Sequence, residues 1–173
     1  MAVKTPVSEE EYLRTSFGDR APEYVHGELV ERTLPNKSHS KAQVELAFAF
    51  KTLQARLPLF PFSELRVPVA PGKYRIVDVA VYARQEPKEE LPEELPLVVA
   101  EIVSPEDGHE DLMRRLEEFR TWGVAHIWLV DPGLRRLYVY RHGGLEAVDA
   151  FELPEFGVQI PVAQVLPEGA GGS

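Results

Sequence analysis

A chain of 173 residues is long enough for one domain with a sizeable core and short for two. Its 44% hydrophobic content is that of a soluble globular protein, and no apolar run approaches the roughly 20 residues a bilayer span needs. The absence of cysteine excludes disulfides and thiolate metal sites, and the net charge of -9 argues against tight non-specific nucleic-acid binding through a broadly basic surface, though not against a local basic groove.

The opening MAVKTPVSEEEY has no apolar leader, so the expected location is the cytoplasm. Ser8, followed three residues later by Glu11, reads as a capping box opening a short helix through Tyr12 and Leu13. YVHGELVER reads as a hairpin turning at Gly27. Asn36 or Ser38 is placed to cap a helix from about His39 to Leu57, with Val44 and Phe48 in one apolar row and Leu46, Phe50, Leu53 and Leu57 in another. Three strands follow, 63–70, 74–83 and 97–103, the last two separated by an acidic, proline-containing surface loop over 85–96. LVVAEIV is continuously apolar apart from Glu101, as in a strand covered on both faces.

A second helix over about 110–122 stops at Gly123, and HIWLVD is a further buried strand. RRLYVYR and LEAVDAF form a hairpin around Gly143-Gly144. The link from LVVAEIV through the helix to HIWLVD has the length of a right-handed βαβ crossover. The order gives a single α/β domain over 1–168, a mixed sheet flanked by helices, with a flexible GAGGS tail over 169–173.

Two acids interrupt apolar strands, Asp78 in RIVDVAVYA and Glu101 in LVVAEIV. A carboxylate in an apolar layer needs a cation, a metal or a donor cluster. On neighbouring strands, two such carboxylates and a backbone carbonyl make half a shell for Mg²⁺, which favours hard oxygen ligands and keeps several waters. The competing reading makes both acids rim residues paired with arginines. Lysine is confined to positions up to Lys88, and the six later cationic residues are all arginines. Trp122, Trp128, Tyr138 and Tyr140 read as packing residues. No phosphate-cradling glycine motif and no esterase nucleophile motif occurs.

The order APEYVHGELVER, SHSK, RIVDVAVY, VVAEIVSPED, DLMRRLEEF and GVAHIWLVDP resembles the Uma-type family of bacterial putative restriction endonucleases, within the PD-(D/E)XK nuclease superfamily. The resemblance runs from about Glu11 to Tyr140 and is most specific in EIVSP and GVAHIWLVDP. It implies a restriction-endonuclease-like fold and a metal-dependent endonuclease acting on DNA. It assigns the superfamily aspartate to Asp78 and the acidic position to Glu101. These two, with the carbonyl of Ile102, would hold Mg²⁺ or Mn²⁺. It also implies supporting roles for Glu23, as an additional acid near the metal, and for His39 at the start of its helix.

The chain departs from that pattern in two places. Val77 stands where the motif has proline, and Val103 where the motif lysine belongs. The family moves this lysine onto the following helix, where this chain has Arg115. An arginine stays charged and cannot activate water by losing a proton, but it can bind a phosphate oxygen bidentately. Read without the resemblance, Arg115 is a partner for Asp111 on a solvated helix face, and His39 a capping residue. The expected partner is DNA, held weakly in a local groove, with no membrane contact and a homo-oligomeric assembly such as a dimer. The alternative is a catalytically silent member of the fold that binds nucleic acid or protein. A third is a structural domain whose IWLVD and LYVY strands feed an oligomer interface.

Overall fold

The computed structural model describes residues 6–168, and the tail over 169–173 lies outside the described residues. Helix α1 (Glu9–Arg14) opens as expected, the Ser8 hydroxyl accepting the Glu11 N–H at 3.1 Å. Strands β1 (Glu23–Val25) and β2 (Glu28–Val30) form the hairpin through His26 and Gly27, both with positive φ (48° and 93°), as two-residue turns that match strand twist require.

Helix α2 (Lys37–Leu53) is capped by Asn36, whose side chain accepts the His39 N–H at 2.9 Å. It stops short of the expected Leu57 because the following N–H groups of Ala55 and Arg56 turn to carbonyls three residues back, just ahead of Pro58. Of its two apolar rows, Leu46 and Phe50 are fully buried, whereas Val44 and Phe48 are each 66% exposed. Phe48→Ser is therefore expected to leave the urea unfolding free energy within about 0.5 kcal/mol of the parent, as surface substitutions do.

Strands β3 (Leu59–Ala70), β4 (Lys73–Ala83), β5 (Val98–Ile102), β6 (His126–Asp131), β7 (Arg136–Arg141) and β8 (Gly144–Val148) complete an eight-stranded mixed sheet with β1 and β2. Its order is β2-β1-β4-β5-β6-β7-β8, with β3 running beside β4. β3 begins four residues before the expected Ser63 because Leu59 to Phe62 already pair with Ala83 to Ala80. Helix α3 (His109–Trp122) ends on Gly123 at φ 110° and links β5 to β6, which pair in parallel, the signature of a crossover.

LEAVDAF is not one strand. β8 stays on β7, while β9 (Ala150–Leu153) leaves the sheet to pair with β10 (Val158–Pro161). The split buries Phe151, Leu153 and Ile160 against the sheet with the short helix α4 (Val162–Val165). Trp128 lies between Phe151, stacked at 4.2 Å, and Phe50 at 5.8 Å. The IWLVD and LYVY strands are internal to this sheet, with Ile127 to Val130, Leu137, Val139 and Tyr140 buried within the chain itself. Among the described residues no helix is long and apolar enough to cross a membrane.

Candidate functional site

The site begins as a gap in the sheet. β3 pairs along the whole of one edge of β4. On the other edge β1 pairs only with Lys73 and Tyr74, and β5 only with Val79 to Val81. Between them Ile76, paired with Arg66 on the β3 side, has no strand partner on this edge, and side chains take over. The Ile76 N–H donates to Glu23 at 2.8 Å, and its carbonyl accepts from Arg115 at 2.6 Å. A buried backbone group left alone would cost a full desolvation penalty, so Glu23 and Arg115 are fixed here by the fold itself.

Asp78 and Glu101 are the next residues past the last β4–β5 pair, Val79 with Ala100. Both are buried, at 3% and 5% exposure, so they are not rim residues, yet each is paired with an arginine as the competing reading has it, Asp78 with Arg32 and Glu101 with Arg115. Asp78 is gripped from several sides. Its Oδ2 accepts the Ile102 N–H at 2.8 Å and faces His39 Nε2 at 3.2 Å, while Oδ1 accepts from Arg32 at 3.2 Å. Its backbone carbonyl accepts from Gln43 at 2.9 Å. Burial alone would raise the pKa of Asp78, but His39, the Ile102 N–H and Arg32 together hold it below the ordinary value, so it is ionised. Burial likewise opposes charge on His39, and Asp78 overcomes it and raises the ring's pKa. His39 Nδ1 is buried with no hydrogen-bond partner.

Glu101 is reached from the other side. Its Oε1 accepts from Arg115 Nε at 2.8 Å, and among the described residues no hydrogen bond reaches its second oxygen. Burial pushes its pKa up to about 8, with Arg115 opposing and the charges of Asp78 and Glu23 adding to the rise. Asp78 is kept charged, whereas burial works against a charge on Glu101 and Arg115 works for it. Arg115 itself is spread over three partners: Glu101, the Ile76 carbonyl, and Glu23, whose oxygens lie 2.6 and 2.8 Å from its Nη1. It does not lie on a solvated face beside Asp111, which pairs with Arg114 instead.

Glu23 is also committed. Besides Ile76 and Arg115 it accepts from Arg75 at 2.9 Å, so its carboxylate holds two arginines and a backbone N–H. Arg75 continues to Glu118, which Lys73 also reaches at 2.9 Å. Burial would raise the Glu118 pKa, yet Arg75 and Lys73 lower it below the ordinary 4.5. A lowered carboxylate stabilises the fold above its unfolded value and loses that contribution as pH falls. Glu118→Gln is therefore expected to lower the urea midpoint at pH 7, and the difference from the parent to shrink as pH drops below 4.5. A difference that stayed constant down to acid pH would contradict the ion-pair origin.

The pair opens into a cleft of about 1170 Å³. Ten carboxylates line it against five arginines. The two acids suit a divalent cation: they are hard oxygen donors side by side, Glu101 has an oxygen that no protein hydrogen bond reaches, and its charge is under-compensated. Among the described residues no group of three or more His, Asp or Glu side chains is placed to hold a metal ion. At Ile102 the structure engages the N–H, with Asp78.

Four residues of this centre went unnoticed in sequence: Arg32, Gln43, Glu64 and Arg75. Gln43 lies one helical turn after His39, which is the signal that would have found it. Glu64 stands across β3 from Asp78 at φ 53°, a strained conformation for a side-chain-bearing residue, and binds both Arg32 and Gln43.

A family model described as "Putative restriction endonuclease", named Uma2, matches residues 9–171. Among solved structures, one described as a putative nuclease belonging to DUF820 from Anabaena variabilis superposes with a TM-score of 0.77 at 21% identity, covering 93% of this chain and 98% of that one. At that identity the likeness speaks for a shared fold. No curated protein matches the sequence.

Proposed function

The chain belongs to the Uma2 family of putative restriction endonucleases, and from that premise we propose that it is a divalent-cation-dependent endonuclease hydrolysing phosphodiester bonds in DNA. The observation that carries this reading is the pairing of two buried carboxylates, Asp78 and Glu101, at the end of a strand ladder where the sheet opens into the cleft. Asp78 and Glu101 would hold Mg²⁺ or Mn²⁺, with the Ile102 carbonyl as the main-chain ligand. Such a cation, when bound, makes water a better nucleophile and stabilises charge on the phosphate.

The chain's own residues prepare the site. His39 and the Ile102 N–H fix one oxygen of Asp78 and keep it ionised. Arg115 holds Glu101 and ties it to Glu23 and Ile76. An arginine in this position cannot accept a proton from water. With its three nitrogens on protein partners, Arg115 acts as a fixed countercharge, so the phosphate contact expected of it falls to another residue. Incubation of supercoiled and linear duplex DNA with the protein in Mg²⁺ or Mn²⁺, against a chelator control, tests the proposal. Nicked or cut DNA with either cation, and none with chelator, is the expected result.

The second reading is a catalytically silent module that binds nucleic acid or protein. The ten carboxylates against five arginines in the cleft favour it, since such a lining repels a polyanion unless cations intervene. DNA binding that is unchanged by chelator would support it.

A further inference from the structure

The cleft offers a phosphate few cations. Arg75 and Arg115 are clamped among buried carboxylates, Arg114 pairs with Asp111, and Arg20 donates to the Arg32 carbonyl. Arg32 differs from these. Its guanidinium bridges buried Asp78 and the exposed carboxylate of Glu64, at the border between the site and the cleft. The two oxygens of Asp78 are also unequal. Oδ2 is held by both Ile102 and His39, whereas Oδ1 is held by Arg32 alone. A cation shared between Asp78 and Glu101 must therefore approach Asp78 through the oxygen that Arg32 occupies, and two positive charges there repel each other.

We propose that Arg32 is a substrate-phosphate residue parked on Asp78: a divalent cation displaces it from Oδ1, and the guanidinium, still tethered by Glu64 at the cleft mouth, takes a phosphodiester oxygen. The proposal rests on the nuclease reading. The strained backbone of Glu64 supports it, because the fold keeps a left-handed residue where the tether for Arg32 is needed. Guanidinium chemistry supports it too, since the planar fork that now spans two carboxylates matches a phosphate equally well.

Calorimetric titration of the whole chain with Mn²⁺, together with the KM and kcat for duplex DNA in Mn²⁺, tests the assignment in the parent, Arg32→Gln and Arg32→Lys. Circular dichroism melts establish that each variant is folded. Removing the competing charge in Arg32→Gln is expected to tighten Mn²⁺ binding about 3- to 10-fold, yet raise KM for DNA by about tenfold or more. Arg32→Lys keeps the charge, so its Mn²⁺ affinity should stay near the parent's and part of the KM should be recovered. Unchanged or weaker Mn²⁺ binding in Arg32→Gln, with the parent still cutting DNA, overturns the assignment and leaves the nuclease reading intact. Neither Mn²⁺ binding nor cleavage in any of the three overturns both.

Discussion

Asp78→Asn is expected to abolish cation-dependent cleavage while leaving the protein folded. The amide oxygen can still accept the Ile102 N–H that Asp78 Oδ2 accepts at 2.8 Å, so the strand end keeps its hydrogen bond. What is lost is the charge that His39, the Ile102 N–H and Arg32 keep ionised against burial. Loss of a cation ligand should exceed the roughly 10- to 100-fold that loss of an outer-sphere partner costs. Asp78→Ala should be equally inactive but also less stable, by about 1–3 kcal/mol, because it orphans the buried N–H of Ile102. Glu101→Gln is the complementary variant. Burial already opposes the charge on Glu101, so a neutral isostere there should cost little stability at pH 8 and still remove cleavage. Any of these variants cutting at the parental rate would remove its residue from the site.

The second large effect is on stability. Arg115→Ala leaves Glu23 and Glu101 buried without their shared countercharge and the Ile76 carbonyl without its donor. Breaking a buried ion pair by removing one partner costs about 3–5 kcal/mol, and here one side chain serves two carboxylates. The urea midpoint of Arg115→Ala should fall accordingly. Arg115→Lys should lose less, because a single ammonium keeps the charge but cannot span all three partners. A near-parental midpoint for Arg115→Ala would mean that the Glu23 and Glu101 carboxylates find other partners, and the site would not be the rigid centre described here.

Much of the architecture could be read from the chain because local rules and tertiary packing agree. The Ser8 cap, the His26-Gly27 turn, the Gly123 stop and the unbroken run around Glu101 each appear where the residues put them. Asp78 and Glu101 stood out because carboxylates inside apolar strands need an explanation. The rest depended on register and on gaps, which no local pattern encodes. LEAVDAF reads as one strand until Phe151 and Leu153 are seen to pack with Ile160 away from β8. Val44 and Phe48 have the spacing of a buried row, but Leu46 and Phe50 take the core.

The same limit explains why the contacts at the centre were not legible. That Glu23 meets Ile76, and that Arg115 meets Ile76, Glu23 and Glu101, follows from β1 and β5 each stopping short on the edge of β4. Sequence could name Arg115 as the residue in place of a lysine. It could not show that all three guanidinium nitrogens would be occupied, which moves the search for a phosphate contact to Arg32.

The proposed reaction requires that Asp78 and Glu101 jointly bind a divalent cation. A crystal structure of the protein soaked in Mn²⁺, read by anomalous scattering, tests it most directly. The expected result is a peak between Asp78 Oδ1, the oxygen of Glu101 that Arg115 does not hold, and the carbonyl of Ile102, with Arg32 withdrawn from Asp78. No peak there, with Arg32 still bonded to Asp78 at saturating Mn²⁺, would contradict it.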